Sequence, residues 1–227
     1  MTRIETFMAG QGRASRAAYW VARSAVAGFT RAWTRLAVEG ADRIPATGPF
    51  VLAPVHRSNM DTPISSCLTK RRLRFMGKDS LWNKQPGAWI LSTLGGFPVS
   101  RGTADREALR RCIAVLEAGE PLVLFPEGER KAGPVVQPLF DGAAYVALRA
   151  KAPIVPVGIG GSEAVMPKGS RFIHPRKVHV IVGEPITHAV MAEDVKRVPR
   201  EAVHAVTAEL HESLQRLFDE AQRRVGA

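Results

Sequence analysis

The sequence predicts an α/β protein: a mainly parallel β-sheet flanked by helices, with an N-terminal amphipathic helical segment. Three observations lead there. From Pro45 onward, apolar runs of strand length alternate with helical stretches, and strands separated by helices build a parallel sheet covered on both faces. The runs end in Gly, Pro or charged clusters, which mark strand-end turns. Hydrophobic residues make up 45% of the 227 and charged residues 23%, enough apolar material for one substantial core.

Residues 1–40 read as a basic helical segment and residues 41–227 as the α/β domain with its C-terminal helix. Between about Ser15 and Leu36, Tyr19, Trp20, Val26, Phe29, Trp33 and Leu36 interleave with Arg16, Arg23, Arg31 and Arg35, with no acid before Glu39. Such a helix suits a lipid headgroup layer, and equally a cap on the core. A buried strand is expected at Phe50 to Val55, a short helix at Pro63 to Leu68 and a strand at Leu73 to Met76. After a glycine turn at Gly95-Gly96, a short strand runs toward Arg101. A helix over about Ala104 to Glu117, a strand at Leu122 to Phe125 and a helix at Ala143 to Ala150 follow. Strands at Ile154 to Ile159 and Val178 to Val182 complete the sheet. From Pro199 to Arg224, Val203, Val206, Leu210, Leu214, Leu217 and Ala221 recur at spacings of three and four, the apolar face of a helix packed on that sheet.

Lys and Arg number 32 against 21 Asp and Glu, a formal net charge of +11. That excess attracts polyanions: nucleic acid, an anionic membrane surface or phosphorylated small molecules. The longest uncharged stretch, Gln85 to Ser100, is broken by Pro86, Gly87, Gly95, Gly96 and Pro98, so no spanning helix is expected. The N-terminal residues lack the apolar centre of a secretory signal, and a cytosolic location is the expectation. Cys67 and Cys112 lie far apart without a CxxC pattern or a His cluster, which points to reduced packing residues and no metal site.

Three strand ends carry candidate chemistry. His56 closes an apolar strand and opens the run HRSNMDTP, with Asp61 five residues on at the start of a helix whose Pro63 suits the first turn. The intervening turn can bring the carboxylate back onto one imidazole nitrogen, which makes the other a base able to take a proton from a hydroxyl. In LGGFPVSRG the strand-end Arg101 offers a bidentate fork suited to phosphate. In FPEGERK a carboxylate, Glu127, precedes Gly128, which bares backbone N–H groups, and the cations Arg130 and Lys131; an ordinary charged turn would read the same. A parallel sheet gathers strand-end loops along one edge, so His56, Arg101 and Glu127 are expected to converge. The other five histidines have no partner that the sequence identifies.

The blocks HRSNMD at His56 to Asp61, GGFPVSRG at Gly95 to Gly102, FPEG at Phe125 to Gly128 and IVPVGI at Ile154 to Ile159 occur in one order. In that order and spacing, residues 35 to 185 resemble the glycerolipid acyltransferases, the 1-acylglycerol-3-phosphate acyltransferases most closely. The resemblance implies transfer of an acyl group from acyl-CoA or acyl carrier protein to the free hydroxyl of lysophosphatidic acid, giving phosphatidic acid, with no cofactor or metal. It implies His56 as general base, Asp61 as its orienting partner, Arg101 as a phosphate-binding residue and Glu127 with Gly128 in an acceptor-binding block. Lys78 in GKDSLW and Arg130 join the binding set, and the Val155-Pro156-Val157 strand belongs to the acyl-chain and sheet framework. Peripheral attachment to the cytoplasmic face of an anionic membrane, through the N-terminal helix, is also implied.

The chain departs from the family's FPEGTR at Glu129, where the acid would repel a phosphate unless it turns outward or the acceptor's head group differs. Acylation of glycerol 3-phosphate or of another lysophospholipid is the nearest alternative. A non-catalytic module binding anionic lipid or nucleic acid is the alternative of another class. Nucleic acid is disfavoured because the sequence has neither a reading helix nor stacking aromatics on a sheet, and aromatics total 7%. Oligomeric state is not readable from the sequence.

Overall fold

The computed structural model describes residues 13–78, 82, 91–92, 94–99, 106–167, 169–189 and 197–226, with the backbone alone at 13–18, 78, 98 and 99. Its centre is a seven-stranded sheet in the order β1-β7-β6-β2-β5-β3-β4. The strands are β1 (Ala37–Glu39), β2 (Val51–Pro54), β3 (Arg74–Lys78), β4 (Gly96–Val99), β5 (Leu122–Val123), β6 (Ile154–Gly160) and β7 (His179–Val182). Every pairing is parallel except β6 with β7. Among the described residues six α-helices accompany them: α1 (Arg13–Thr34), α2 (Asp61–Ser66), α3 (Arg106–Glu117), α4 (Gly142–Arg149), α5 (Ser162–Val165) and α6 (Arg200–Val225).

Strands β2 and β6 lie side by side at the middle of the sheet and are buried at every position, as continuous apolar runs covered on both faces must be. The expected strand at Leu122 to Phe125 stops at Val123, although Leu124 still donates its N–H to the Leu52 carbonyl. Phe125 leaves the ladder to stack elsewhere, as described below. The edge strand β1 was not foreseen, because three residues are too few to show an alternation. The boundary expected at residue 40 falls just beyond this strand.

Helix α1 packs on α2 with a different face from the one its large residues suggest. Tyr19, Ala27, Thr30 and Thr34 are buried, whereas Trp20, Val21, Phe29 and Trp33 are exposed. Small residues let the two helices approach. Arg23 donates to the carbonyls of Ser66 and Thr69, and Arg31 donates to that of Cys67 at 2.7 Å. These guanidinium groups satisfy carbonyls at the end of α2 that have no partner within the helix. Among the described residues, no helix is long and apolar enough to cross a membrane.

Helix α6 lies on β6 and β7 with Val203, Val206, Leu210, Leu214, Leu217 and Ala221 buried, as its spacing predicts, and with Phe218 buried beside them. The approach is close enough to exclude side chains from the strand. A Cβ at Gly158 would sit 2.4 Å from the Leu217 carbonyl, and one at Gly160 would sit 2.2 Å from that of Ala221. Because the obstacle is backbone, Gly158→Ala must push helix from sheet, at a cost of about 1–3 kcal/mol. Thermal denaturation of Gly158→Ala is expected to show a midpoint several degrees lower. Gly28→Ala, in α1 with nothing within 4 Å of the new methyl, is expected to leave the midpoint unchanged or raise it.

Candidate active site

Because β2 pairs with both β5 and β6, the loops after these three strands are neighbours. The first, residues 55–60, carries His56 and leads into α2. A single oxygen organises this turn. Asp61 Oδ2 accepts the main-chain N–H of Arg57 at 2.7 Å and of Ser58 at 2.7 Å, and lies 3.0 Å from His56 Nδ1. Two main-chain donors already point at that oxygen, so the hydrogen shared with the ring belongs to Nδ1. Among the described residues Nε2 meets no donor or acceptor, and it is the basic nitrogen. Asp61 is completely buried, and among the described residues its Oδ1 has no hydrogen-bond partner. The His56 side chain is 13% exposed, so the imidazole has a limited opening to solvent while its partner has none.

The loop after β5 grips His56 from three directions. Phe125 stacks on the imidazole with ring centroids 3.9 Å apart and 19° between planes. Glu127 Oε2 accepts the main-chain N–H of His56 at 3.1 Å, and the N–H of Lys131 donates to the His56 carbonyl at 2.8 Å. Both main-chain groups of His56 and one face of its ring are thereby fixed by this loop, and Nδ1 is fixed by Asp61.

Behind this arrangement lies a buried ion pair that the sequence reading did not find. Arg57 Nη1 donates to Glu127 Oε1 at 2.9 Å and Oε2 at 2.7 Å, with side-chain exposures of 1% and 0%. The remaining nitrogens of Arg57 reach the carbonyls of Gly133 and Val135, each at 3.1 Å, and the guanidinium lies 4.8 Å from the ring centre of Phe218 on α6. Gln137 adds its N–H to Glu127 Oε1 at 3.1 Å. Gln215, also on α6, holds residues 134–136 from the other side through Pro134 and Val136. With each of its three nitrogens hydrogen-bonded and a carboxylate against it, a charge that would be costly to bury alone is tolerated. A signal for Arg57 was present in the sequence: a glutamate between an apolar strand and a glycine needs a cation nearby, and Arg57 adjoins the neighbouring strand's end.

Glu127, expected in an acceptor-binding block, keeps its whole carboxylate inside, engaged with Arg57, His56 and Gln137. Gly128 turns the chain with a φ of 74°, and a Cβ there would meet the Phe140 ring at 2.7 Å. Glu129 faces outward: its side chain is 62% exposed and reaches Lys131 Nζ at 2.9 Å. Its charge is thus paired with a cation and open to solvent. Arg130 is half-buried in the same turn. The Lys78 side chain and all of Arg101 lie outside the described residues. Of the other histidines, His179 faces Glu39 at 2.9 Å, His204 faces Asp141 at 3.6 Å and His211 meets the Val136 carbonyl at 3.0 Å.

A cavity of about 200 Å³ adjoins α2, lined chiefly by apolar groups of Tyr19, Val26, Pro63, Phe75 and Leu94. Thr62 and Pro63, the residues directly after Asp61, form part of its wall.

Comparison with known proteins places this arrangement in context. The sequence profile of the family described as Acyltransferase matches residues 35–160. The 1-acyl-sn-glycerol-3-phosphate acyltransferase of Bacillus subtilis is 29% identical over 178 residues, covering 78% of this chain and 84% of that protein. The chloroplastic enzyme of the same name from Brassica napus is 27% identical over 153 residues, and the match spans only 44% of its length. The crystal structure of the 1-acyl-sn-glycerophosphate (LPA) acyltransferase PlsC from Thermotoga maritima superposes with a TM-score of 0.74. That match covers 95% of this chain and 84% of the other at 24% identity, a likeness of fold.

The buried pair can be tested apart from the imidazole. Glu127→Leu leaves the Arg57 charge buried and uncompensated, and is expected to cost about 3–5 kcal/mol in denaturant unfolding. Adding Arg57→Met is expected to recover most of that stability. Activity should stay low in the double variant, because His56 has lost the acceptor for its main-chain N–H.

Proposed function

This chain belongs to the acyltransferase family, and from that premise we propose that it transfers a fatty acyl group from acyl-CoA or acyl carrier protein to 1-acylglycerol 3-phosphate. The product is phosphatidic acid. The observation that carries this reading is the His56–Asp61 contact, with Nδ1 engaged and Nε2 open. As the acceptor hydroxyl attacks the thioester carbonyl, Nε2 takes its proton, and Asp61 stabilises the imidazolium that forms. Collapse of the tetrahedral intermediate breaks the carbon–sulfur bond, and the imidazolium returns the proton to the departing thiolate. The ester, the free thiol and a neutral imidazole remain, so the cycle balances without a covalent acyl-enzyme.

The apolar cavity beside Thr62 and Pro63 is the natural place for an acyl chain. Arg101, Lys78 and Arg130 are assigned to the phosphate of the acceptor, with Arg101 as its bidentate ligand. The outward Glu129, paired with Lys131, leaves a phosphorylated acceptor admissible. Glu127 contributes by holding the backbone of His56, and Gly128 by allowing the turn that follows. Helix α1 docks the protein on the cytoplasmic face of an anionic membrane. Its Trp20, Val21, Phe29 and Trp33 are exposed, and its sequence contains arginines and no acid.

Purified protein offered labelled acyl-CoA is expected to acylate 1-acylglycerol 3-phosphate in preference to glycerol 3-phosphate or a lysophospholipid with a larger head group. His56→Ala is expected to lower kcat by about 10²- to 10⁴-fold with an unchanged circular-dichroism spectrum. Undiminished turnover by that variant would remove the assigned base.

A further inference from the structure

The reading that α1 lies on a bilayer leaves unused the most exposed large apolar side chain among the described residues, Phe172, and the inference drawn from it rests on that reading. Between α5 and β7 the chain runs Ser170-Arg171-Phe172-Ile173-His174-Pro175-Arg176-Lys177. Every residue from 171 to 177 is exposed. Phe172 is 76% exposed and Ile173 is 36% exposed, so Phe172 shows more of itself to water than any of the large apolar residues on α1.

This loop is held in shape. Ser170 donates its N–H to the Pro167 carbonyl at 2.9 Å, and His174 donates its own to that of Val165 at 2.7 Å. The Ser170 hydroxyl donates to the Phe172 carbonyl at 3.0 Å and accepts the Phe172 N–H at 3.1 Å. The Trp33 indole N–H reaches the Ile173 carbonyl at 3.2 Å, and Trp33 stacks on Phe29 with centroids 5.5 Å apart. A phenylalanine raised on a pinned turn, one residue from a carbonyl gripped by the helix, is displayed at a fixed place beside the end of α1.

We propose that the Arg171–Lys177 loop is a second lipid-contacting element, which inserts Phe172 into an anionic bilayer next to the exposed face of α1. Charge decides the occupant. Arg171, Arg176 and Lys177 flank the apolar tip, and the sequence contains no acid between Glu163 and Glu184 or between Arg13 and Glu39. Cations around aromatic residues match an anionic headgroup layer over acyl chains. A second copy of the chain would bring the same cations to the contact and be repelled. A second contact beside α1 also suits the chemistry, because one shallow anchor binds weakly and leaves the protein free to pivot, whereas two elements fix which side faces the lipid.

The test uses the full chain with a nitroxide on Phe172→Cys. Cys67 and Cys112 are buried, and burial pushes the Cys67 thiol up and that of Cys112 up to about 12, so the label goes to the new cysteine. On vesicles containing phosphatidylglycerol, the nitroxide is expected to become accessible to oxygen and shielded from a water-soluble nickel chelate. Phe172→Ser is expected to lower partitioning onto those vesicles roughly ten-fold, and Arg171→Gln roughly five-fold. Neither should alter acylation of a short-chain, water-soluble acceptor. A label that stays open to nickel while the chain still sediments with vesicles would overturn the loop's role and leave docking by α1 intact. Dimers that dissociate on Phe172→Ser would overturn it in favour of a second copy. Failure of the unaltered chain to bind any vesicle would instead overturn the docking reading itself.

Discussion

The site depends on one constraint: the loop after β5 holds His56 by its main chain and its ring at once. Glu127 takes the N–H of His56, Lys131 supplies an N–H to its carbonyl, and Phe125 covers one face of the imidazole. Asp61 then has only the in-plane orientation of the ring left to fix, and does so through Nδ1. A side chain that is to take up a proton must be held within hydrogen-bond reach of it, and here the histidine's main chain is held by the Lys131 N–H and by the Glu127 carboxylate, itself buried and fixed by Arg57.

That grip exists because of the sheet order. Strands β2 and β5 are parallel neighbours, so their carboxyl ends emerge side by side, and the ion pair of Arg57 with Glu127 crosses the short gap between the two loops. Arg57 extends the connection to residues 133–135 and to Phe218, while Gln215 ties the same segment to α6. The close seating of α6 on Gly158 and Gly160 is therefore relevant to the site as well as to the core. Its position is set by backbone contact with β6, and it forms the outer wall against which the Arg57 guanidinium rests. A break in the ion pair would loosen the histidine's main chain while leaving the His56–Asp61 turn, with its own two main-chain donors, able to form.

Much of this was legible in the sequence. Continuous apolar runs gave the central strands, the three-and-four spacing gave the inward face of α6, and the HRSNMD turn gave the His–Asp contact. What escaped depends on tertiary detail. Three residues cannot reveal the edge strand β1, and Phe125 reads as strand because its departure is caused by an imidazole from another loop. Helix α1 was harder, since its aromatic residues stand out in sequence while Ala27, Thr30 and Thr34 make its packed face. The role of Glu127 was hidden for a related reason: a carboxylate beside cations resembles a ligand site until its burial against Arg57 is seen. Nothing in the sequence singles out residues 171–177, because the exposure of Phe172 and the tether of its neighbour Ile173 to Trp33 are properties of the fold.

The central claim is that His56 presents a basic Nε2 because Asp61 holds the proton on Nδ1. Nitrogen-15 chemical shifts of the histidine rings, assigned by comparison with His56→Ala, measure this directly. At a pH where the ring is neutral, the account predicts a protonated Nδ1 and a bare Nε2 for His56, with the preference reduced in Asp61→Asn. A neutral His56 carrying its proton on Nε2 would contradict it.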